Sequence, residues 1–369
     1  MNILIAADYA PPQSGSFGAS VLELGLFLQS KGDRLVVILP ENGNTLPENS
    51  WANWIRSNGI TVCLYNRNNM PDEKSYLLAV IREYDIDVLH LHFGMFLNTV
   101  RKNRRSFPRK VLVHDHMCFG QLEGKNYGER ARLLAKSLAF RFLNIGMVSV
   151  GKEKDEVYAF AKHWHLPNGL TYRRRITLNE TREETRRRLG VGEDEKLCLL
   201  LGWASYIKGV DVAVRAINDL NSRGEKIVLG YVGIGEPPSE ARLEYIRNRA
   251  GVDPHVSWIH YLPSTEDIFA YYRMCDVFIS ASRGEGFSFA ALEAISQNTP
   301  VVLSDIRATK WAWKYNKTCV YQTESPDACA EAILKALQMK EIPSNSEDIT
   351  SEYSIQKWCE GMYRIYQVC

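Results

Sequence analysis

Short, unbroken apolar runs recur along this chain, and helical spacing follows most of them. The first run, Ile-Leu-Ile-Ala-Ala at residues 3–7, leaves no polar position to face solvent. As a strand it must be covered on both faces. A Pro/Gly/Ser loop over 8–18 leads into a segment with Ala19, Leu22 and Leu26 on one helical face, closed at Gly32. Residues 34–39, 60–65, 88–92 and 111–113 read as further strands, with a helix predicted over 76–84. Strands alternating with helices predict a parallel sheet in an α/β fold. The rhythm breaks over 168–196, which is polar and rich in arginine. It restarts with a strand at 197–201 and a helix presenting Val210, Ala213, Val214, Ile217 and Leu220, ended by Gly224. Strands over 227–232, 256–261, 277–281 and 300–304 continue the series, and 354–368 closes the chain as a helix with Ile355, Trp358, Met362 and Ile365 on one side. Two doubly wound, Rossmann-like halves follow, 1–167 and 196–350, with a linker region at 168–195 and a terminal segment at 351–369.

A chain of 369 residues can bury a full core in each half. A net charge of only +2 argues against a globally basic nucleic-acid binder. The eight cysteines are scattered and form no CxxC, so neither a thiolate zinc site nor a redox pair is expected, and reduced thiols are. Residues 3–7 are too short for a signal core and lack a basic leader. No stretch nears the roughly 18 apolar residues of a membrane span. The expectation is a soluble cytoplasmic protein.

In open parallel sheets, ligands bind beyond the carboxyl ends of the strands. The richest such loop runs from Ser282 through Arg283, Glu285, Gly286, Phe287 and Ser288 into a helix carrying Glu293. Eight residues turn a helix by roughly 80° net, so both carboxylates can face one ligand. Gly286 permits close backbone approach, and the amides of Phe287 and Ser288 at a helix N-terminus suit an anion. A second loop, Gly202 to Gly209, holds Lys208, a point charge suited to phosphate. The first loop, with Gly15 and Ser16, is not GxGxxG, so the nicotinamide or flavin fingerprint is absent there; Gly233-Ile234-Gly235 carries only GxG.

In this order the pieces resemble a retaining glycosyltransferase of the GT-B fold, family 4 type, over nearly the whole chain and most closely from Leu197 to Asp305. The E-x7-E motif is Glu285 and Glu293; G-x5-KG is Gly202 to Gly209; Gly233–Gly235 and the Thr299 to Asp305 stretch also match. Gly15-Ser16 resembles the family's Gly-Gly loop, His114 its active-site histidine, and Asn168-Gly169 its inter-domain turn. The resemblance implies two Rossmann-like domains facing across a cleft, with the last helix crossing back to the first. It implies an NDP-sugar donor and no metal. Glu293 would hold the ribose; Lys208 and the amides of Phe287 and Ser288 the diphosphate; Glu285 and His114 the sugar. Gly15 and Ser16 would close on the phosphate, and the base would lie near Gly233 and His260–Leu262. The acceptor implied is a glycan or lipid-linked sugar of the kind used in bacterial surface polysaccharide synthesis.

The departures are informative. Trp203 stands where the family has an arginine, and Arg283 is the cation offered in its place. Asn298 replaces a usual glycine, and residues 306–309 lack the common Gly-Gly-x-x-Glu. Two other readings therefore stay open: a sugar-nucleotide epimerase of the same architecture, and a non-catalytic nucleotide-sugar-binding scaffold. Six of the eight histidines form three HxH pairs, two of them read as strand ends lining a cleft rather than as metal ligands. Asp85-Ile86-Asp87 precedes a strand and reads as a turn. Arg101 to Arg141 holds eleven basic residues against three acidic ones, with Leu133, Leu134, Leu138 and Phe142 at helical spacing. That mixture suits either a solvated face or peripheral contact with an anionic inner-membrane face. The arginines of 173–175 and 186–188, balanced by Glu180, Glu183 and Glu184, read as a solvated linker or helix.

Overall fold

The computed structural model describes residues 1–9, 15–41, 50–66, 68, 72–117, 126–151, 160–192, 194–202, 206–233, 239–253, 255–339 and 347–369. Met1–Arg173 and Tyr353–Cys369 form one compact unit, and Arg174–Glu352 forms the other. Trp203 and Gly235 lie outside the described residues, as does Cys118; the seven described cysteines are free thiols.

The first unit runs β1 (Asn2–Ala7), α1 (Gly15–Ser30), β2 (Arg34–Pro40), α2 (Trp51–Ser57), β3 (Thr61–Tyr65), α3 (Glu73–Glu83), β4 (Val88–His92), α4 (Leu97–Lys102), β5 (Lys110–Asp115), α5 (Tyr127–Phe142), β6 (Ile145–Ser149) and β7 (His163–His165). The second runs α6 (Arg182–Arg188), β8 (Lys196–Leu201), α7 (Val210–Ser222), β9 (Ile227–Val232), α8 (Glu240–Ala250), β10 (Ile259–Leu262), α9 (Ile268–Met274), β11 (Val277–Ser280), α10 (Phe289–Ser296), β12 (Val301–Ser304), β13 (Thr318–Tyr321), α11 (Pro326–Leu337) and α12 (Glu347–Glu352). The closing helix α13 (Ile355–Val368) belongs to the first unit.

Every strand pair is parallel, and the orders are β3-β2-β1-β4-β5-β6-β7 and β10-β9-β8-β11-β12-β13. Both are Rossmann-like, with the reversal of direction between β1 and β4 in one sheet and β8 and β11 in the other. Side-chain alternation divides the first unit into two cores. Ile3, Ile5 and Ala7 pack with α1 and α13, whereas Leu4 and Ala6 pack on the opposite face with Leu89, Leu91 and Phe140. Helix α13 buries Trp358, Met362, Ile365 and Tyr366, and Lys110 Nζ donates to the carbonyls of Tyr366 and Gln367 at 2.7 and 2.8 Å. That is the charge a helix C-terminus favours. A Cβ on Gly169 would lie 2.7 Å from Trp358 Cβ, so the Asn168-Gly169 turn lets the chain pass flush against α13.

Three short strands were not anticipated. Strand β6 carries a glycine, and β7 and β13 are edge strands with mixed polarity, so none reads as an apolar run. Strand β10 begins at Ile259, three residues later than expected. The arginine-rich span is solvated only in part, which corrects the sequence reading: Arg173, Arg187 and Arg188 are exposed, but others are not. Arg174 and Arg186 are buried, and α6 packs within the second unit. Arg186 donates to the carbonyls of Met274, Gly192 and Glu195 and pairs with Asp276, so its charge is compensated in place. Asn298 sits at φ 61°, the left-handed region that asparagine tolerates, where the family resemblance suggested glycine. The Asp85–Asp87 turn accepts the Asn2 backbone N–H and side-chain amide, anchoring the start of β1.

Candidate functional site

In the second unit the site elements converge where β8 and β11 end side by side. The chain leaves β8 through Gly202 and returns as a 3-10 turn over Tyr206–Lys208, capped by Gly209 at φ 60°. A Cβ on Gly209 would stand 1.9 Å from the Ala281 carbonyl oxygen, so only glycine lets α7 start hard against β11. This contact aims Lys208 at the turn after β11. Its Nζ lies 3.0 Å from Glu285 Oε1, and the Ser282 hydroxyl donates to the same carboxylate oxygen. Ser282 is itself fixed by Ser304, whose hydroxyl donates to its carbonyl at 2.6 Å. Two residues 77 positions apart are thus brought together, a cation and a carboxylate at one sheet edge.

Helix α10 begins after Ser288, whose hydroxyl accepts the Ala291 amide. Phe287 is buried and stacks on Trp311, centroids 4.9 Å apart at 13°. Glu293 points inward: Oε1 accepts from Arg174 at 2.7 Å and Oε2 from the Tyr272 hydroxyl at 3.2 Å. Arg174 also lies over the Phe269 ring at 4.3 Å. Arg283 is held by Asp211 in a bidentate pair at 2.9 and 3.0 Å, by Glu324 at 2.8 Å and by the Tyr206 ring at 3.8 Å. Those contacts raise its pKa further, with Asp211 the largest cause. The guanidinium proposed for phosphate is therefore built into the loop that carries Lys208. At the far side of this sheet the Tyr261 hydroxyl approaches Gly233 so closely that a Cβ there would stand 1.9 Å away. His260 is half-buried and Leu262 is buried, and both point to the face opposite Tyr261. Tyr206 was not singled out in the sequence, and neither Tyr261, inside the 260–262 segment, nor Arg174, inside the arginine-rich linker, was named there as a site residue; their contacts come from far along the chain.

In the first unit, His90 and His92 on β4 and His114 on β5 share the face covered by α13. The imidazoles form a chain: His116 Nε2 to His92 Nδ1 at 2.8 Å, His92 Nε2 to His90 Nδ1 at 3.4 Å, and His90 Nε2 to His114 Nδ1 at 3.3 Å. The Tyr366 hydroxyl meets His90 Nδ1 at 2.9 Å. Nε2 of His114 is buried and has no hydrogen-bond partner among the described residues. His90, His92 and His114 each offer a nitrogen within 4.8 Å of the others, a spacing that could accept a zinc-type ion. Gly15 opens α1 at φ 54° beneath the Tyr9 hydroxyl, and Ser16 is half-buried. Around them, Tyr9, Phe17, Phe93 and His116 form an aromatic group; Phe93 stacks on His116 at 4.4 Å and is held at φ 53°, a strained backbone for a bulky residue.

Burial pushes His90 and His116 down to about 3 and His92 and His114 well below the usual range, with neighbouring imidazoles adding to the effect on His90, His92 and His114. The folded state keeps them neutral while the unfolded chain takes up protons below about pH 6.5. Their contribution to stability is therefore present above that pH and lost as pH falls toward 3. Each such histidine costs up to about 1.4 kcal/mol per pH unit. Melting temperature measured from about pH 7 to about pH 5 should fall, and the fall should shrink in His90→Gln. A flat profile would rule out the buried neutral chain.

Residues 181–354 match the family model of glycosyl transferases group 1. An uncharacterized glycosyltransferase of Methanocaldococcus jannaschii is 24% identical over 323 residues, covering 81% of this chain and 80% of that one. A D-inositol 3-phosphate glycosyltransferase of Xylanimonas cellulosilytica is 33% identical over 125 residues, only 34% of this chain and 30% of that one. Among solved structures, Anabaena HepE in complex with UDP-glucose superposes with a TM-score of 0.78 at 15% identity over the full length of both chains. The two Rossmann-like sheets and the superposition on HepE show the GT-B fold, and the glycosyl transferases group 1 match covers a little under half of the chain.

Proposed function

We propose that this chain is a glycosyltransferase of group 1 that moves a sugar from an NDP-sugar to a glycan or lipid-linked acceptor, retaining configuration, in the building of a surface polysaccharide. The observation that carries the reading is the Lys208–Glu285 pair at the carboxyl edge of the second sheet. As the sugar leaves, negative charge gathers on the diphosphate, and a lysine already held in place lowers the barrier without reorganisation. Glu285, fixed by Lys208 and Ser282, would meet the donor sugar's hydroxyls. Lysine and helix amides supply the positive charge, so in this reading no metal takes part. Both carboxylate oxygens of Glu293 already accept protein hydrogen bonds, so a ribose contact would draw on their second lone pairs. His114, neutral, would offer its Nε2 to a sugar hydroxyl.

HepE was solved with UDP-glucose, which puts uridine nucleotides first among donors to try. Nucleotides and sugar nucleotides should be screened by thermal shift, since a ligand at a hundredfold excess over its Kd adds about 2.7 kcal/mol. A rise with one base, larger for one of its sugars, supports the reading. No rise with any of them favours the scaffold. An epimer formed from the donor alone favours the isomerase.

A further inference from the structure

We propose that helix α5 docks the first unit onto an anionic phospholipid surface. The structure sorts the basic stretch into two groups. Arg104 donates to the carbonyls of Leu143, Pro108, Arg109 and Asn144, tying α4 to the end of α5, and Lys110 caps α13; both are structural. Arg101, Lys102, Arg105, Arg109, Arg130, Arg132 and Arg141 are exposed.

Helix α5 is amphipathic in an unusual sense. Only Ser137 and Phe140 are buried against the sheet. At 100° per residue, Tyr127, Ala131, Leu134, Leu138 and Phe142 form a single stripe on the opposite side. That stripe faces solvent: Tyr127 is 90% exposed, Phe142 84%, Leu138 40% and Leu134 38%. Arg130 and Arg141 flank it on one side and Arg132 on the other. Glu129, the helix's acidic residue, is turned back into a capping box with Asn126. An apolar stripe bordered by arginine is what an interfacial helix presents to acyl chains and anionic headgroups together. A nucleic-acid backbone would match the charge but leave five apolar side chains uncovered.

The end of the helix adds a place for a headgroup. A cavity of about 270 Å³ is lined by Phe140, Arg141, Asn144, Ile145, Phe160 and Lys162; Phe140 and Ile145 are buried, and the basic Arg141 and Lys162 are exposed. Arg109 lies at the same end, its carbonyl accepting the Asn144 side-chain amide. Helix α5 runs back along the sheet from its carboxyl edge, where His114 and His116 sit. A docked helix would therefore hold that edge at the lipid surface, within reach of a lipid-linked acceptor. This consequence rests on the acceptor reading given above; the docking itself does not.

The test is flotation of the full chain with phosphatidylcholine vesicles that contain or lack phosphatidylglycerol, with no sugar nucleotide present. Binding should require the anionic lipid and weaken as salt rises. Each of Arg130→Ala, Arg132→Ala and Arg141→Ala should lower partitioning about fivefold. Phe142→Ser should lower it about tenfold or more. Because these side chains are exposed, melting temperatures should stay at the wild-type value, which separates lost docking from lost folding. Failure to float with phosphatidylglycerol, or wild-type flotation by Phe142→Ser, overturns the proposal. So does a stripe whose substitution only changes the oligomeric state, which would make it a contact between copies of the chain. Donor-induced thermal shifts, read without vesicles, report on the transferase reading independently.

Discussion

Replacing Lys208 by alanine is expected to lower turnover by about two to three orders of magnitude, the usual scale for removing one positioned electrostatic contact. The size follows from where the ammonium sits. It is brought to the turn after β11 by a glycine that no other residue can replace without a 1.9 Å clash, and it already holds Glu285 at 3.0 Å. Under the proposed function, a lysine preorganised in this way would meet charge developing on the leaving diphosphate more strongly than charge in the ground state. The loss should therefore appear in kcat more than in KM. Lys208 is about a third exposed, so its removal costs little stability. Glu285→Ala should be comparably slow. Because the two side chains touch, the double variant should be less impaired than independent effects predict. Near wild-type turnover in both single variants would remove the site from the second sheet altogether.

What the sequence disclosed and what it hid follow one physical division. Strand β4 was legible at both ends because each of its residues is buried, so it reads as one run with two histidines inside. Strand β13 was not, because it is only four residues long and, as an edge strand, leaves Val320 38% exposed. The same holds for the sites. Glu285, Glu293 and Lys208 stood out as candidates because spacing within a loop is visible in one dimension. Their partners were not, since Arg174 lies 119 positions from Glu293. Arg174, Arg175 and Arg186 looked as solvated as their exposed neighbours because their compensating charges, Glu293, Glu266 and Asp276, come from distant elements. For α5, spacing revealed Leu134, Leu138 and Phe142 as a set, but only the packing of Phe140 showed that this set faces outward.

The largest loss of stability is expected from Arg174→Ala. The guanidinium and the Glu293 carboxylate pair at 2.7 Å with side chains 2% and 5% exposed, so neither is relieved by water when the other is removed. Taking away one partner of such a pair typically costs 3–5 kcal/mol, because a buried charge loses its counterion. For a unit of this size, roughly 2–4 °C of melting temperature accompanies each kcal/mol, so the second unit's transition should fall by about 6–20 °C. Hydrogen exchange resolved by segment should place the loss in α9 and α10, which flank the pair, and leave the first unit's amides unchanged. Arg174→Lys should recover only part of it, since an ammonium cannot reproduce the planar contact on Phe269. Replacing both partners by apolar residues of similar volume, Arg174→Met with Glu293→Leu, should cost far less than Arg174→Ala alone. The Tyr272 hydroxyl would lose its acceptor in that pair of changes, so a small residual loss should remain. If that double variant is stable yet no longer responds to the nucleotide that shifts the wild type, the buried pair is holding a ligand-binding carboxylate in place. If it is stable and still responds, Glu293 serves the core and the ribose must find its partner elsewhere.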